Sequence, residues 1–314
     1  MSNQKSLKVN IILNVIYKLS SILFPILVYP YVSRAILPEN MGKVSFYNSL
    51  TSYMIMLGSL GISTYGVRVV AQVRDNKKSL SIAAKELLII NAVATGIALA
   101  LLFGMVFLSD KLKQNEALLV ISCLQIVFAP FSMDWLFSGL EDYQYITIRS
   151  LLIKLISLIL IFMLVRQKND FIIYAAINAF SYIGSYVLNF IYAKKYIDIK
   201  IKAELHLKKH IKAVLILFAS IMAVNIYTNV DTIMLGFING DRAVGLYDMA
   251  CKGKLVLLSL INAVSAVLFP HLTHCLADEN LDAYNNILKK SVVLVFGISI
   301  PMALFFIFEA KDVI

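Results

Sequence analysis

Several stretches of this 314-residue chain contain no Asp, Glu, Lys or Arg for 18 residues or more, among them 44–67, 87–109, 171–193, 255–277 and 291–308. About 20 mostly apolar residues at about 1.5 Å each cross roughly 30 Å of hydrocarbon, so runs of this kind predict membrane-spanning helices. Four more runs hold or abut one charge: 9–33 with Lys18, 117–138 with Asp134, 150–165 with Lys154, and 213–237 with Asp231. That makes nine candidate spans. A membrane barrel would instead show strands of roughly 10 residues alternating apolar and polar. Composition agrees: 60% of residues are hydrophobic and 15% are charged, too few charges to cover a soluble surface of this size. The expected class is an all-α polytopic membrane protein.

The net charge of +10 does not point to nucleic acid, because the cations lie between apolar runs rather than on a folded polar surface. They fit the positive-inside pattern. With the N-terminus in the cytoplasm, the segments on that side hold 18 Lys and Arg, Arg149 and Lys154 counted among them, against 8 on the other. The short polar head leads directly into a long apolar run with no cleavage site, so the first helix is expected to be retained. Cys123, Cys251 and Cys275 have no metal-ligand spacing and fall in or beside spans, as buried reduced thiols do. The lysine-rich stretch after the sixth span divides the chain into an N-terminal six-helix bundle (1–196), a basic cytoplasmic linker (197–212) and a partial second bundle of three helices (213–314). Within 194–212, Ile197, Ile199, Ile201, Leu205 and Leu207 alternate imperfectly with charge. The stretch suits either the anionic inner leaflet or water. A faint echo links Met41-Gly42-Lys43 with Val244-Gly245-Leu246, each opening a helix after an outside loop, as in transporters built from two parallel bundles.

Ionisable side chains inside spans normally face a bundle interior and mark function. In the first helix Asn10, Asn14, Lys18 and Ser21 share one stripe that Pro25 extends, with Pro30 beyond. Proline disturbs a helix, and irregular backbone at depth belongs where it is buried or lines a cavity. Lys18 either faces such a cavity or snorkels to the cytoplasmic edge. The seventh helix carries Asn225, Asn229 and Asp231, as cavity lining or as interhelical hydrogen bonds. Asp134 follows Pro130 and precedes the single tryptophan, Trp135. Lys252 and Lys254 open the eighth helix, where they meet an anion or pair with Asp248 on the same face. His271 and His274 lack other ligands nearby and read as interfacial rather than metal-binding. No phosphate-binding loop, dinucleotide fingerprint, HExxH or GxSxG motif occurs. The chain is accordingly read as a transporter, not an enzyme, with no cofactor and no metal.

Several segments in order resemble bacterial oligosaccharide flippases of the Wzx type. They are Asn14 to Tyr17, Phe24-Pro25, Tyr29 to Arg34, Tyr65 to Arg68, Asp134 to Tyr143, Ile146 to Ser150, Val230 to Gly236, Val244 to Tyr247, Ile300 to Ala303 and Ala310 to Ile314. The resemblance spans essentially the whole chain and implies membership of the multidrug/oligosaccharidyl-lipid/polysaccharide exporter superfamily. That fold has two six-helix bundles around a central cavity. It implies transfer of undecaprenyl-diphosphate-linked oligosaccharide from the cytoplasmic to the outer leaflet of the bacterial cell membrane, serving capsule, exopolysaccharide or O-antigen synthesis. Membrane lipids, polysaccharide polymerase and glycosyltransferases are the implied partners. The loop Leu37-Pro38-Glu39 lacks the family's usual glycine, Thr232 stands where lysine often follows the aspartate, and helices ten to twelve are missing, as in a C-terminally truncated chain. Cations suit diphosphate recognition. Lys18, Arg34, Arg68, Lys252 and Lys254 are therefore the expected anion contacts, with Asn14 and Asn225 on the sugar side, although Arg34 and Arg68 also fit interfacial anchors. Asp134 or Asp231 would serve ion coupling. A cation-coupled small-molecule antiporter of the same superfamily and an inactive truncated product are the alternatives.

Overall fold

The computed structural model describes residues 7–255 and 281–313, with Leu258, Leu272 and Cys275 as isolated positions. Among them every regular element is helical, and six helical stretches are long and apolar enough to cross a membrane. The expected eighth span, 255–277, with His271 and His274, lies outside the described residues apart from isolated positions. Two compact units divide between Gly245 and Leu246.

Helix α1 (Leu7–Ser59) runs without non-helical backbone through Pro25 and Pro30; its break falls at Leu37, with φ 67° and ψ 157°. Proline disfavours helical backbone in the residue before it, and Leu37 precedes Pro38. Helix α1 is thus two helices end to end. The expected second span, 44–67, also breaks, at Leu60 (φ 46°) and Gly61 (φ 80°), before α2 (Ile62–Val73). A Cβ on Gly61 would press on the backbone of Phe218, so this left-handed turn also needs the missing side chain.

Helix α3 (Lys77–Leu108) begins at Asn76, whose side chain accepts from the Lys78 and Ser79 amides at 3.0 and 3.1 Å. A single turn, α4 (Asp110–Lys113), precedes α5 (Glu116–Phe128). Pro130 then falls in a 3₁₀ turn, Ala129–Ser132, and α6 (Asp134–Gly139) restarts after Met133 at φ 40°. The expected fourth span is therefore a broken helix. Helix α7 (Tyr143–Leu164) starts seven residues earlier than expected, at an Asp142 cap that accepts from the Tyr145 amide at 3.3 Å. Helix α8 (Phe171–Ala193) has the bounds expected from the apolar run.

Helices α3 and α7 flank α1, while α8 packs between α5 and α7. One apolar core gathers Val32, Ile36, Met41 and Phe46 of α1 with Leu102, Leu118 and Ile126. A second gathers Ile62, Val70, Leu87, Trp135, Leu136 and Phe137. The outward faces carry large apolar side chains, among them Phe103, Phe107, Leu152, Leu155 and Met163, where lipid replaces water as the solvent.

Helix α9 (Lys208–Ile238) lies antiparallel along the second half of α1 and α2. Tyr65 meets His210, Gly61 meets Leu217, Tyr53 donates to the Asn225 carbonyl, Phe46 meets Gly236, and Gly42 meets Asp241. A helix at 241–255, α10, follows. Its Gly245 packs against the Pro38 carbonyl and Gly42, so the two echoing glycines touch each other. No Cβ fits at either position. The second unit contains most of α10 and α11 (Leu281–Val313), which carries Pro301 within it.

At Gly236 a side chain would strike the ring of Phe46, which is itself 1% exposed. Gly236→Leu should lower stability by about 1–3 kcal/mol, the usual cost of overpacking, read as a lower melting temperature of the detergent-solubilised protein. Phe46→Leu on the same chain should recover part of that loss.

Candidate functional site

The polar interior of the first unit is built on the broken fourth span. The chain leaves the helix through Pro130 and turns at Met133, where the Leu136 amide donates to the Met133 carbonyl rather than to Ser132; the Asn189 amide of α8 donates to the Ser132 carbonyl instead. The same amide donates to Asp134 Oδ1 at 3.0 Å. Arg149 of α7 donates through Nη1 to Asp134 Oδ1 at 2.7 Å and to Asn189 Oδ1, and through Nη2 to Ser150 Oγ at 3.1 Å. Its guanidinium lies 5.8 Å from the Tyr145 ring centroid. Three helical segments are joined by one charge pair, its arginine buried, and one amide.

One helical turn further along α7 lies Lys154, which donates to Ser20 and Ser21 of α1 at 3.0 and 2.8 Å, with the Tyr17 ring centroid 5.5 Å away. Both serines donate in turn to the Tyr17 carbonyl. Nearby, Ser157 and Ser181 share a hydrogen bond of 2.5 Å, and Tyr182 and Tyr186 stand 6.5 Å apart on α8. Tyr17 and Tyr186 are each within electrostatic reach of Asp134 and Arg149. Hydroxyls, an amide, a carboxylate and two cations therefore share the interior faces of α1, α6, α7 and α8. The positions counted as loop cations, Arg149 and Lys154, lie inside α7, because the helix begins at Tyr143 rather than near 150.

This all-α polytopic architecture with a polar interior accompanies a family match: the polysaccharide biosynthesis protein family fits residues 7–275. The chain belongs to that family. It is 26% identical over 278 residues to a protein of Escherichia coli (strain K12) named "Putative O-antigen transporter", covering 88% of this chain and 67% of that one. A protein of the same name from Shigella dysenteriae is 26% identical over 309 residues, covering 96% and 76%. No solved structure matches the chain. As a member of this family the chain is a multi-pass membrane protein of polysaccharide biosynthesis.

The other expected site residues are spread out. Arg34 borders an open groove of about 570 Å³ with Leu27, Pro30, Tyr31, Ala35, Phe162 and Arg166. Arg68 is exposed on α2. On α9, Asn225 is half-buried, donates to the Ile221 carbonyl and accepts from Asn229 at 3.4 Å; Asp231 is exposed. In the second unit Lys252 lies 3.9 Å from Asp248 on the same helix, the pairing expected of it, and Lys254 is exposed. The side chains of Asn14 and Lys18 lie outside the described residues.

A buried carboxylate, Glu86 of α3, was not among the expected residues. It is fully buried and accepts from the His206 amide at 2.6 Å; Lys209 Nζ lies 2.8 Å and His210 Nε2 2.9 Å from it. The Tyr65 hydroxyl meets the other ring nitrogen of His210 at 2.9 Å. The Asp198 amide donates to Ser81 Oγ, and Lys85 Nζ to the Ile201 carbonyl, each at 2.9 Å. The basic segment is therefore fastened along one edge of α3. From 201 to 208 burial alternates residue by residue: Ile201, Ala203, Leu205 and Leu207 are half-buried, and Lys202, Glu204, His206 and Lys208 are exposed. That is the period of extended chain. At the same end, Asp142 accepts from the hydroxyls of Tyr192 at 3.2 Å and Tyr196 at 2.7 Å. Burial, and then the bond to Asp142, push the Tyr196 phenol well above the ordinary tyrosine range, so it stays a donor at physiological pH.

Two measurements probe these networks. Arg149 is 4% exposed and Asp134 45%. Asp134→Ala should therefore strand a buried charge and approach the loss of about 3–5 kcal/mol typical of a broken buried pair. Arg149→Met leaves a carboxylate that is only half-buried and still held by Asn189, and should cost less; melting temperatures in detergent give the order. Glu86→Ala should release the 197–207 segment and speed tryptic cleavage at Lys200 and Lys202 roughly tenfold or more, as the loss of charge-assisted hydrogen bonds predicts. Gel analysis of a digestion time course reads that rate.

Proposed function

We propose that this protein moves a lipid-linked oligosaccharide, carried on undecaprenyl diphosphate, from the cytoplasmic to the outer leaflet of the bacterial cell membrane. The observation that carries the reading is a polar, cation-bearing interior within a chain of the polysaccharide biosynthesis protein family. A diphosphate and a polar glycan cannot cross hydrocarbon unaided, because each unpaired charge at depth costs several kcal/mol. Polar groups facing one another inside the bundle replace the lost hydration, while the lipid tail stays in the membrane. Access alternates as the bundles rock about the bound headgroup. The relatives' printed names, which speak of O-antigen transport, support the glycan as cargo.

On this proposal the N-terminus is cytoplasmic. Moving Arg149 and Lys154 from loop to helix leaves the balance of Lys and Arg in the same direction. Lys18, Arg34, Arg68, Lys252 and Lys254 contact phosphate, and Asn14 and Asn225 contact sugar. Asp134 is held by Arg149 and Asn189, so its first role is to position helices, and cation coupling falls to Asp231. Polysaccharide polymerase and glycosyltransferases act on either side of the transfer step.

Deleting the gene from its own host should abolish surface polysaccharide and leave the lipid-linked oligosaccharide in the inner leaflet. The intermediate is measured by extracting and quantifying it with and without periplasmic access of a glycan-cleaving enzyme. Undiminished surface polysaccharide in the deletion strain would overturn the proposal.

A further inference from the structure

Lys154 is the twelfth of the 22 residues of α7. At about 1.5 Å per residue its Cα stands roughly 15 Å from either end of the helix. Its position on the helix points it away from lipid. Ser150, Ile153, Ser157 and Ile161 are buried on that face, while Leu151, Leu152, Leu155, Ile156 and Ile159 are exposed on the other.

A cation held at mid-span usually has a carboxylate beside it. Among the described residues none lies within ion-pair distance of Lys154. The nearest carboxylate network, at Asp134, already neutralises Arg149. Among the described residues the partners of Lys154 are two hydroxyls and the face of one ring, all uncharged. Ser20 and Ser21 spend their protons on the Tyr17 carbonyl, which turns their oxygen lone pairs toward the ammonium and fixes its place. An ammonium has three N–H donors, and the serines take two. Among the described residues, one donor and the positive charge are left over on the interior face of α7, five residues from Arg149, a second cation. A purely structural tie between α1 and α7 would need only a neutral donor.

We infer that Lys154, seated on Ser20 and Ser21, is an anion subsite of the first unit that takes a phosphate group of the lipid-linked saccharide. The inference rests on the function proposed above and adds to it a contact that the expected set of cations did not include. Lys154 supplies the charge. Tyr17 forms the adjoining wall. The serines keep the ammonium at the depth where the headgroup is farthest from either aqueous face.

The chain's single tryptophan, Trp135, adjoins Asp134 and reports on this interior by fluorescence. The purified full chain, in a neutral detergent, is titrated with farnesyl diphosphate, with farnesol and with phosphatidylglycerol, and each titration is repeated by thermal shift. Saturable binding of farnesyl diphosphate in preference to the other two is expected. Lys154→Met should weaken it roughly 10–100-fold, the loss of one charge-assisted hydrogen bond, and Lys154→Arg should restore most of it. Lys154→Gln keeps a donor for the serines but not the charge. It should bind as weakly as the methionine variant while melting close to wild type, which separates a binding defect from a folding one. Wild-type binding unchanged in the glutamine variant would overturn the Lys154 subsite and leave the flippase reading standing. Equal response to farnesol and farnesyl diphosphate would overturn both. Preference for phosphatidylglycerol would overturn the assignment to the carrier and make Lys154 a bilayer-lipid contact.

Discussion

The interior of the first unit depends on matching charge where no water is present to match it. Arg149, at 4% exposure, sits at the junction of the broken fourth span with α7 and α8. A buried cation of this kind is costly alone and tolerable only with well-placed acceptors. Asp134, Asn189 and Ser150 provide them. The break at Pro130 is what makes the arrangement possible, because it brings Asp134 to the start of a new helix and frees a carbonyl for Asn189. Straightening that helix would remove both. The irregular backbone and the charge pair are two halves of one solution.

Much of the fold was legible in the chain because apolar runs and membrane spans obey the same length rule. Helix α8 has the bounds of its uncharged run. Helix ends were less legible. Polar residues such as Thr147 and Arg149 sit within α7 with partners on other helices, which a local reading of hydropathy does not register. Pro25 and Pro30 remain inside α1, while Leu37 before Pro38 leaves the helix. Within hydrocarbon each unpaired backbone group is expensive, so a helix there tolerates proline rather than open.

The site was legible by residue type and less so by position. Asp134 stood out as a charge in an apolar run, but its commitment to Arg149 depends on a turn that only three-dimensional packing reveals. Lys154 was visible too, but in a span taken to begin at 150 it lay near the start of its helix rather than at mid-length. Glu86 gave the weakest signal, since it abuts an apolar run as any flanking charge does. Its burial comes from the segment around His206 to His210, more than a hundred residues later. The lysines of that segment remain exposed while its alternate apolar residues turn inward. Charge pattern identified the segment; the hydrogen bonds to α3 show what holds it.

The Glu86–His210 contact joins residues 124 positions apart, and this separation imposes an order on biosynthesis. When α3 enters the membrane, the groups that will surround its buried carboxylate have not yet been translated. Until the start of α9 leaves the ribosome, Glu86 must be hydrated or borrow temporary partners. The first helices can insert and pair in sequence, but that edge of α3 closes only when the later segment arrives. The latch thus serves as a checkpoint for assembly, one that an N-terminal fragment ending before residue 206 can never pass.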